Sequence, residues 1–451
     1  MVFCGGAFNL GLFMRNDDSS LLGWLGYRVP KEFTKARWLG SLIGVILVLL
    51  VFLLIVGIFT RLAQSILFSK EIPNIRDAGL ALAAVVGFPF IVWRSVVAHR
   101  QVETARDELF NDKLNEAIES LHARYQVTER QGDDGYVDIW KDDIIKRNGA
   151  IDRLEALAIE RPFEAPRIAR TLCVHLRELT REHRPETPPE GATPDGIRHW
   201  AQNLQVKRSD MESAAQVLGR LSEKTGIPPK DLAIDLSGVN LQAMRLEHLN
   251  FEHAILNDCH LDGALLNGAK LNGAKLNGAK LNEATLNNAK LNEAKLNEAE
   301  LNGARLIWAE LNEARLNGAK LRQAHLNEAE LNRAKLFGTE LNEVEFGGAE
   351  LNGAKLNRAR LHWATFDKSI DLKDAETTAS ALRSVNLSDA EYVTEFVKSA
   401  FGDRSVILPD DVPFPIDRWP DAKLDNETYQ EEYRRFLSDP DAYIPPQHRN
   451  D

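Results

Sequence analysis

His248, His253, Cys259 and His260 fall within thirteen residues, the tightest grouping of metal-ligand side chains in the chain. A zinc site would need three or four of them to converge on one point. No other stretch spells reactive chemistry, because GxxxxGK(S/T), GxSxG, HExxH and paired CxxC are all absent. What remains is charge at a fixed interval. Lys275, Lys295, Arg315, Lys335 and Lys355 lie twenty residues apart and are all cationic. Five positions further on, Lys280, Glu300, Lys320, Glu340 and Arg360 mostly alternate in sign. Asn272, Asn292, Asn312, Asn332 and Asn352 repeat at the same interval, and amides held in such a column can hydrogen-bond to one another. Ile307 and Trp308 place apolar side chains where neighbouring repeats are polar.

The element that must position these residues has a period of five. From Leu236 to Phe366 every fifth residue is Leu or Phe, through 27 successive pentads, and Ala stands two places before most of them. Five residues advance an α-helix by ~500°, so the leucines would spiral around all its sides. On a flat strand an odd period would turn every second Leu to the opposite face. A chain that turns one corner per pentad points every Leu inward, which makes this segment a solenoid. The run LNGAKLNGAKLNGAKLNEATLNNAKLNEAK within it resembles the pentapeptide-repeat family. The resemblance implies a right-handed quadrilateral β-helix with four pentads per coil, Leu and Ala inside and the other three positions outside. At ~4.8 Å per coil the rod is roughly 30 Å long. The family favours Asp or Asn just before the central Leu. Here that place is mostly Lys, Glu or Arg, and Asn follows the Leu instead.

This frame assigns the candidate residues. Cys259 takes an inward position and His260 an outward one, so a single ion does not reach both, and no metal or cofactor is expected. The five cations form one outward column. Such a column is either a solvated face relieved by neighbours such as Glu293 and Glu313, or the seat of an anionic partner. Ile307 and Trp308 fall on an outward corner, as an isolated exposure or as an anchor for a partner. The first coils carry Val239, Met244 and Leu249 in place of Ala, as suits a terminal repeat that covers an open end.

Before the rod the chain changes character. Trp38 to Thr60 holds 23 residues without a charge, and such a helix of ~34 Å would cross ~30 Å of hydrocarbon. Ala78 to Trp93 is a second uncharged stretch, of 16 residues and containing Pro89. Small residues at four-residue spacing (Gly40 and Gly44; Gly79, Ala83 and Gly87) would let two helices pack closely. Five basic residues precede the pair, three lie between and four follow within twenty positions. The positive-inside rule then places both termini in the cytoplasm. The three cysteines, Cys4, Cys173 and Cys259, offer no disulfide framework.

The expected organisation is a cytoplasmic segment (1–37), a two-helix transmembrane hairpin (38–93) and a cytoplasmic α-helical region (94–182). A linker (183–208), an N-terminal solenoid cap (209–235), the pentapeptide-repeat β-helix (236–370), and a C-terminal helical cap with an acidic tail (371–451) complete it. Within these, Asp142 to Ala158, Ala165 to Arg181, Ser209 to Lys224, Asp374 to Val385 and Asp389 to Ala400 read as helices, and the Pro- and aromatic-rich 407–446 reads as extended chain over the surface. The stretch from Trp93 to His122, with VWRSVVAHRQ, is similar to the juxtamembrane region of membrane-anchored bacterial pentapeptide-repeat proteins. Of the net charge of −11, the rod contributes almost nothing, with 16 Lys and Arg against 17 Asp and Glu over 236–370, whereas 371–451 holds 9 against 18.

The combination suggests a non-enzymatic protein-interaction module on the bacterial inner membrane, its repeats in the cytoplasm. Its partner would be an acidic protein, a second copy of the chain or the acidic tail itself. Some family members mimic DNA and bind topoisomerases, which is the alternative role, but a charge-balanced rod is poorly suited to it. Nucleic acid is not an expected partner. An activity within the helical region 93–230 is a third reading, for which no residue arrangement speaks.

Overall fold

The computed structural model describes residues 75–131 and 135–449, with a few isolated positions between Leu53 and Gln64. Residues 1–37, with Cys4, and almost all of the first uncharged stretch lie outside the described residues. Two compact units divide at Lys113 and Leu114. The first unit's described part is mostly one helix, α1 (Ile75–Ser120), of 46 residues, which begins with the second uncharged stretch and runs through Pro89 without a break. Phe90, Ile91 and Trp93 are exposed along it. Among the described residues no helix is long and apolar enough to cross a membrane. The transmembrane hairpin expected over 38–93 therefore gains no support. Almost all of its first stretch lies outside the described residues, and in its second only 16 residues separate Asp77 from Arg94, a ~24 Å helix that would cross ~30 Å of hydrocarbon only with local thinning.

The second unit takes in the last turns of α1 and continues with an antiparallel hairpin, β1 (Arg124–Gln131) and β2 (Gly135–Asp142), with Arg124 opposite Asp142. It corrects the wholly helical expectation for 94–182. Tyr125, Tyr136 and Trp140 are exposed on it, so it carries no buried stripe that would have marked it. Helices α2 (Ile144–Glu160) and α3 (Ala165–Glu182) follow, parted at Arg161 and Pro162. The presumed linker contains α4 (Pro194–Gln202), begun by Thr193, whose hydroxyl accepts the Gly196 N–H at 3.2 Å. It leans on the rod so closely that a β-carbon at Gly263 would stand 2.8 Å from the Ala201 carbonyl oxygen. Helix α5 (Ser209–Thr225) ends at Gly226 with φ of +71°. It covers the open end of the first coils: the Gly219 carbonyl accepts the Asn250 N–H at 2.9 Å. A β-carbon on Gly219 would meet that of Leu249 at 2.7 Å, so only glycine admits this approach.

In the rod, parallel bridges join residues twenty apart, from Asp235–Ile255 to Glu345–Thr365. The pentad Leu291–Lys295 shows how every backbone donor is satisfied. The Leu291 N–H goes to the Glu310 carbonyl (2.7 Å), that of Glu293 to Asn312 (2.9 Å) and that of Lys295 back to Ala274 (2.9 Å). The Ala294 N–H closes the corner on the Leu291 carbonyl at 3.0 Å, with Glu293 at φ of +59°. This is a type II turn, and its third residue needs positive φ. Gly supplies that freedom at Gly273 (φ +63°) and many other corners, while Glu, Asn or Arg accept it elsewhere. The fifth donor, Asn292 N–H, finds the Asn272 side-chain oxygen at 3.1 Å. Asn directly after Leu is thus what this corner requires. Inside, Leu271, Leu291, Leu311, Leu331 and Leu351 are buried, as are the alanines between them. About 10 Å³ is left among the side chains from Leu241 to Leu301, all of it lined by Leu and one Phe, so the interior is dry.

The coils do not stop at 370. Glu350 bridges Asp371, Lys355 bridges Glu376 and Arg360 bridges Ala381, each now 21 residues apart, and bridges continue to Ile407. One extra residue enters at the corner after Phe366. The Asp367 carboxylate holds it by accepting the N–H groups of Gly348 and Ser369, each at 3.0 Å. Leu372, Thr377, Leu382 and Leu387 then resume the inward positions, all buried. The helix expected over 374–385 is therefore coil of the rod, and of the one over 389–400 only α6 (Val393–Val397) forms. Residues 407–446 also differ from expectation. Helix α7 (Asn426–Ser438) buries Tyr429, Tyr433 and Phe436 on Ala379, Ala381 and Phe401, a second core. An open solenoid end exposes unpaired carbonyls. Here the Tyr429 hydroxyl donates to Leu382 O (2.9 Å), that of Tyr433 to Ala379 O (2.8 Å), and the Trp419 indole to Ala400 O (2.8 Å).

Candidate docking faces of the rod

The five cations form a single column, since Lys275 bridges Lys295, Lys295 bridges Arg315, Arg315 bridges Lys335 and Lys335 bridges Lys355. Each residue's N–H and carbonyl are engaged with adjacent coils, as in Arg315 N–H to Ala294 (2.9 Å) and Leu296 N–H to Arg315 (2.7 Å). The side chains of Lys275, Arg315, Lys335 and Lys355 are exposed and that of Lys295 is half-buried. Beyond Lys355 the column ends in Glu376, at 3.3 Å from the Lys355 ammonium. Among the described residues no carboxylate lies within 4.0 Å of Lys275, Lys295, Arg315 or Lys335. Glu313 pairs instead with Arg333 at 3.7 Å. Of 371–449 only Glu376 meets the column, at Lys355, since α7 is spent on the end of the rod and Glu432 pairs with Arg449 and Arg435.

The neighbouring face contrasts with this. Lys290, Glu310, Glu330, Glu350 and Asp371 stack there. The amide N–H₂ groups of Asn292, Asn312 and Asn332 donate to Glu310, Glu330 and Glu350 at 2.7, 2.7 and 2.8 Å. The oxygens of Asn272, Asn292 and Asn312 each accept the N–H of the Asn one coil on (3.1, 3.0 and 3.2 Å), while Asn352 joins through its backbone carbonyl, which accepts the Arg333 N–H at 2.9 Å. The Asn column is thus a ladder through backbone donors, with its side-chain donors turned to the acids. On the other flank of the basic column, Lys320 pairs with Glu300 (3.1 Å) and Arg322 with Glu340 (2.8 Å).

Trp308 is exposed and Ile307 half-buried, at the corner after the face of Arg305. The face of Glu310 and the Asn corner separate them from Arg315, so the rod does not gather them with the cations. Phe337, which the sequence reading passed over, is the exposed aromatic that flanks the column, with the Arg358 guanidinium 5.7 Å from its ring centre. His248, His253, Cys259 and His260 form no ligand group. Cys259 is fully enclosed and burial pushes its thiol up, while burial holds the half-buried His260 below the usual imidazole range despite the nearby Asp262. Among the described residues only Asp142, Glu182 and His183 come close enough to share an ion. Asp142 is already held by Arg124 (3.1 Å), Arg147 (2.6 Å) and Arg208. Burial alone would raise its carboxyl, but the Arg208 hydrogen bond and these cations keep it below the ordinary range.

The family described as pentapeptide repeats matches eight copies here, over 234–273, 269–306, 304–346 and 334–370. Residues 234–370 are pentapeptide repeats. The pentapeptide-repeat protein HetL, involved in heterocyst differentiation regulation in the cyanobacterium Nostoc sp. strain PCC 7120, is 28% identical over 39% of this chain and 85% of its own, with a TM-score of 0.17. A trypsin-treated variant of QnrB1, a plasmid-mediated fluoroquinolone resistance protein, is 23% identical over 46% of this chain and 96% of its own, with a TM-score of 0.21. A pentapeptide repeat protein from the Arabidopsis thaliana thylakoid lumen is 24% identical over 28% and 66%, with a TM-score of 0.15. Among curated proteins none matches this chain. The pentapeptide-repeat coils extend past the matched residues to Ile407, where the inserted residue puts the pattern out of phase.

Proposed function

We propose that this chain is a non-enzymatic docking rod, tethered to the bacterial inner membrane through residues 38–93, whose basic column receives an acidic protein in the cytoplasm. One observation carries the reading: four stacked cations, Lys275, Lys295, Arg315 and Lys335, have no carboxylate within 4.0 Å among the described residues, although the rod as a whole is charge-balanced. Held on a stiff backbone, they lose little freedom when an acidic peptide binds. Phe337 offers an apolar contact at the margin of the column, and Trp308 a separate one on another corner. The uncharged stretch 38–60 and the exposed Phe90, Ile91 and Trp93 support the tether. The DNA-mimic alternative requires a continuous acidic surface. The acidic column here is short, begins with the Lys290–Glu310 pair at 3.2 Å and is covered by Asn donors.

Crosslinking in intact cells tests the docking face. Joint replacement Lys295→Glu, Arg315→Glu and Lys335→Glu is expected to abolish capture of an acidic partner while the repeats stay folded. Unchanged crosslinks from the folded triple variant would reduce the column to a solvated face. For the tether, reporter fusions at Asp77 and Asp195 are expected to report opposite sides of the membrane; identical compartments would remove the hairpin.

A further inference from the structure

A second charged place lies toward the C-terminal end of the rod, beyond the alternating column that borders the basic one. A cavity of about 550 Å³ opens between the start of α4, the coils around Arg322, Arg360 and His362, and helix α7. Its walls supply donors in excess. Arg383 uses two of its nitrogens on Asn426 Oδ1 (3.0 Å) and Leu424 O (3.1 Å), but its Nε has no partner, and the residue is 9% exposed. His362 is 6% exposed, and its Nε2 also has no partner. Asn342 and Asn426 spend their oxygens on the His362 N–H (3.2 Å) and on Arg383, which leaves both N–H₂ groups for a ligand. Arg322 and Arg360 share one carboxylate, Glu340, at 2.8 and 4.0 Å, and Arg383 has none. The acceptor on the wall, Glu343, is exposed and takes the Gln323 amide at 2.7 Å. Three guanidiniums thus meet Glu340 and Glu343 at the surface, while the enclosed Asp403 behind them is committed to the N–H groups of Ser405 and Leu424, each at 2.8 Å.

The aromatic part is equally specific. Trp363 lines the cavity and is 47% exposed. The Arg383 guanidinium is clamped between its ring (5.5 Å) and that of Tyr429 (5.4 Å). Guanidinium forks match the oxygens of a phosphate, and an exposed indole face is a stacking platform for a planar ring. The cavity volume lies in the range that holds a small molecule of that kind. We propose that this cleft binds a small phosphomonoester carrying a planar ring, the class to which mononucleotides belong, with Arg322, Arg360 and Arg383 toward the phosphate and Trp363 against the ring. Burial and the three arginines hold the His362 imidazole low, at about 4, against the opposing Asp403, and a bound dianion would act in the same sense as Asp403.

Calorimetric titration of the full chain with inorganic phosphate, adenosine 5′-monophosphate and adenosine tests the assignment. The monophosphate is expected to bind at least roughly tenfold tighter than phosphate, and adenosine not to bind, since neither half alone fills both walls. Arg383→Lys risks loosening α7, so the decisive variants are Arg360→Gln and Arg322→Gln, whose side chains are half-exposed. Each is expected to weaken the monophosphate by roughly tenfold with an unchanged melting temperature. Trp363→Leu is expected to erase the advantage of the monophosphate over phosphate. No heat from the monophosphate at roughly 10 mM, equal affinity for it and for phosphate, or full affinity in Arg360→Gln would each overturn the proposal.

Discussion

Arg315→Gln should stabilise the rod, and the gain should vanish in salt. Arg315 has Lys295 one coil below and Lys335 one coil above, with no carboxylate within 4.0 Å among the described residues. At the ~4.8 Å spacing of stacked strands, two unit charges in water repel by ~0.9 kcal/mol. At physiological ionic strength, where the screening length is ~8 Å, roughly half of that survives. Two neighbours then make the relief about 1 kcal/mol at most, less where long side chains splay apart. The substitution leaves the backbone bonds of residue 315 to Ala294 and Leu296 untouched. Because coils of a solenoid open in sections, the measurement must be local. Hydrogen exchange of the Leu296, Lys335 and Leu316 amides in about 20 mM and about 500 mM salt is suited to this, since the screening length falls severalfold between them. Slower exchange in the variant at low salt, converging with the native chain at high salt, is expected. Equal or faster exchange at low salt would refute the reasoning, because it would mean that the column is already compensated.

The remaining predictions concern the interior and the rod's ends. Leu311→Asp puts a carboxylate among fully buried Leu and Ala; the lost packing and the unpaired charge together cost at least ~5 kcal/mol, and exchange protection should fall in the coils on both sides. Tyr433→Phe leaves the Ala379 carbonyl without its 2.8 Å donor, so α7 should loosen by about 1–2 kcal/mol, seen as faster proteolysis after Asp425 while the central coils stay protected. His175 is buried with neither ring nitrogen paired, and burial, with Arg147, Arg208 and His122, lowers it to about 4 against the opposing Asp210. A depressed value means that the folded state binds fewer protons than the unfolded one. The associated stability is complete above about pH 6.5 and is lost as pH falls toward the folded value. His175→Leu should therefore gain on the native chain as pH is lowered from about 7.5 to about 4.5 in thermal melts, and a pH-independent difference would show that His175 is not the group that titrates.

What could be read in advance follows from how strongly each residue was constrained. A Leu at every fifth position has one physical solution, so the coil, its twenty-residue register and the column of Lys275 to Lys355 were legible. So was α5, ended by Gly226. Phase loss hid the rest. One residue added near Asp367 moves the inward position from Phe366 to Leu372, and Thr377 then replaces Leu, tied to the Phe396 carbonyl. With the leucine period gone, the Ala- and Ser-rich residues 374–385 read as helix. The hairpin at 124–142 escaped for a different reason: its polar residues pair across the strands, as Gln126 and Thr128 do with Asp138 (2.8 and 2.6 Å), and no apolar face is buried. The cavity at Arg383 joins residues from Pro194 to Gln430, a meeting that no local spacing announces.

The two charged columns show that the rod knows how to neutralise a stack when neutralisation is the structural need. Along Glu310, Glu330 and Glu350 each carboxylate receives an Asn amide from the adjoining corner, two to three tenths of an ångström inside the usual 3.0 Å. The same corner borders the basic column, and its Asn side chains have oxygens that could have faced the cations. Instead those oxygens are committed to backbone N–H groups one coil away, as in Asn312 N–H to Asn292 (3.0 Å). A cation-relieving acceptor could then come from the third residue of the same turn, but Glu313 there pairs with Arg333. The next column round the rod, Lys280 to Arg360, solves the problem by alternating sign, which the basic column does not do. A repulsive stack left bare beside two compensated ones is the observation on which the docking proposal stands, and the triple charge reversal is its test.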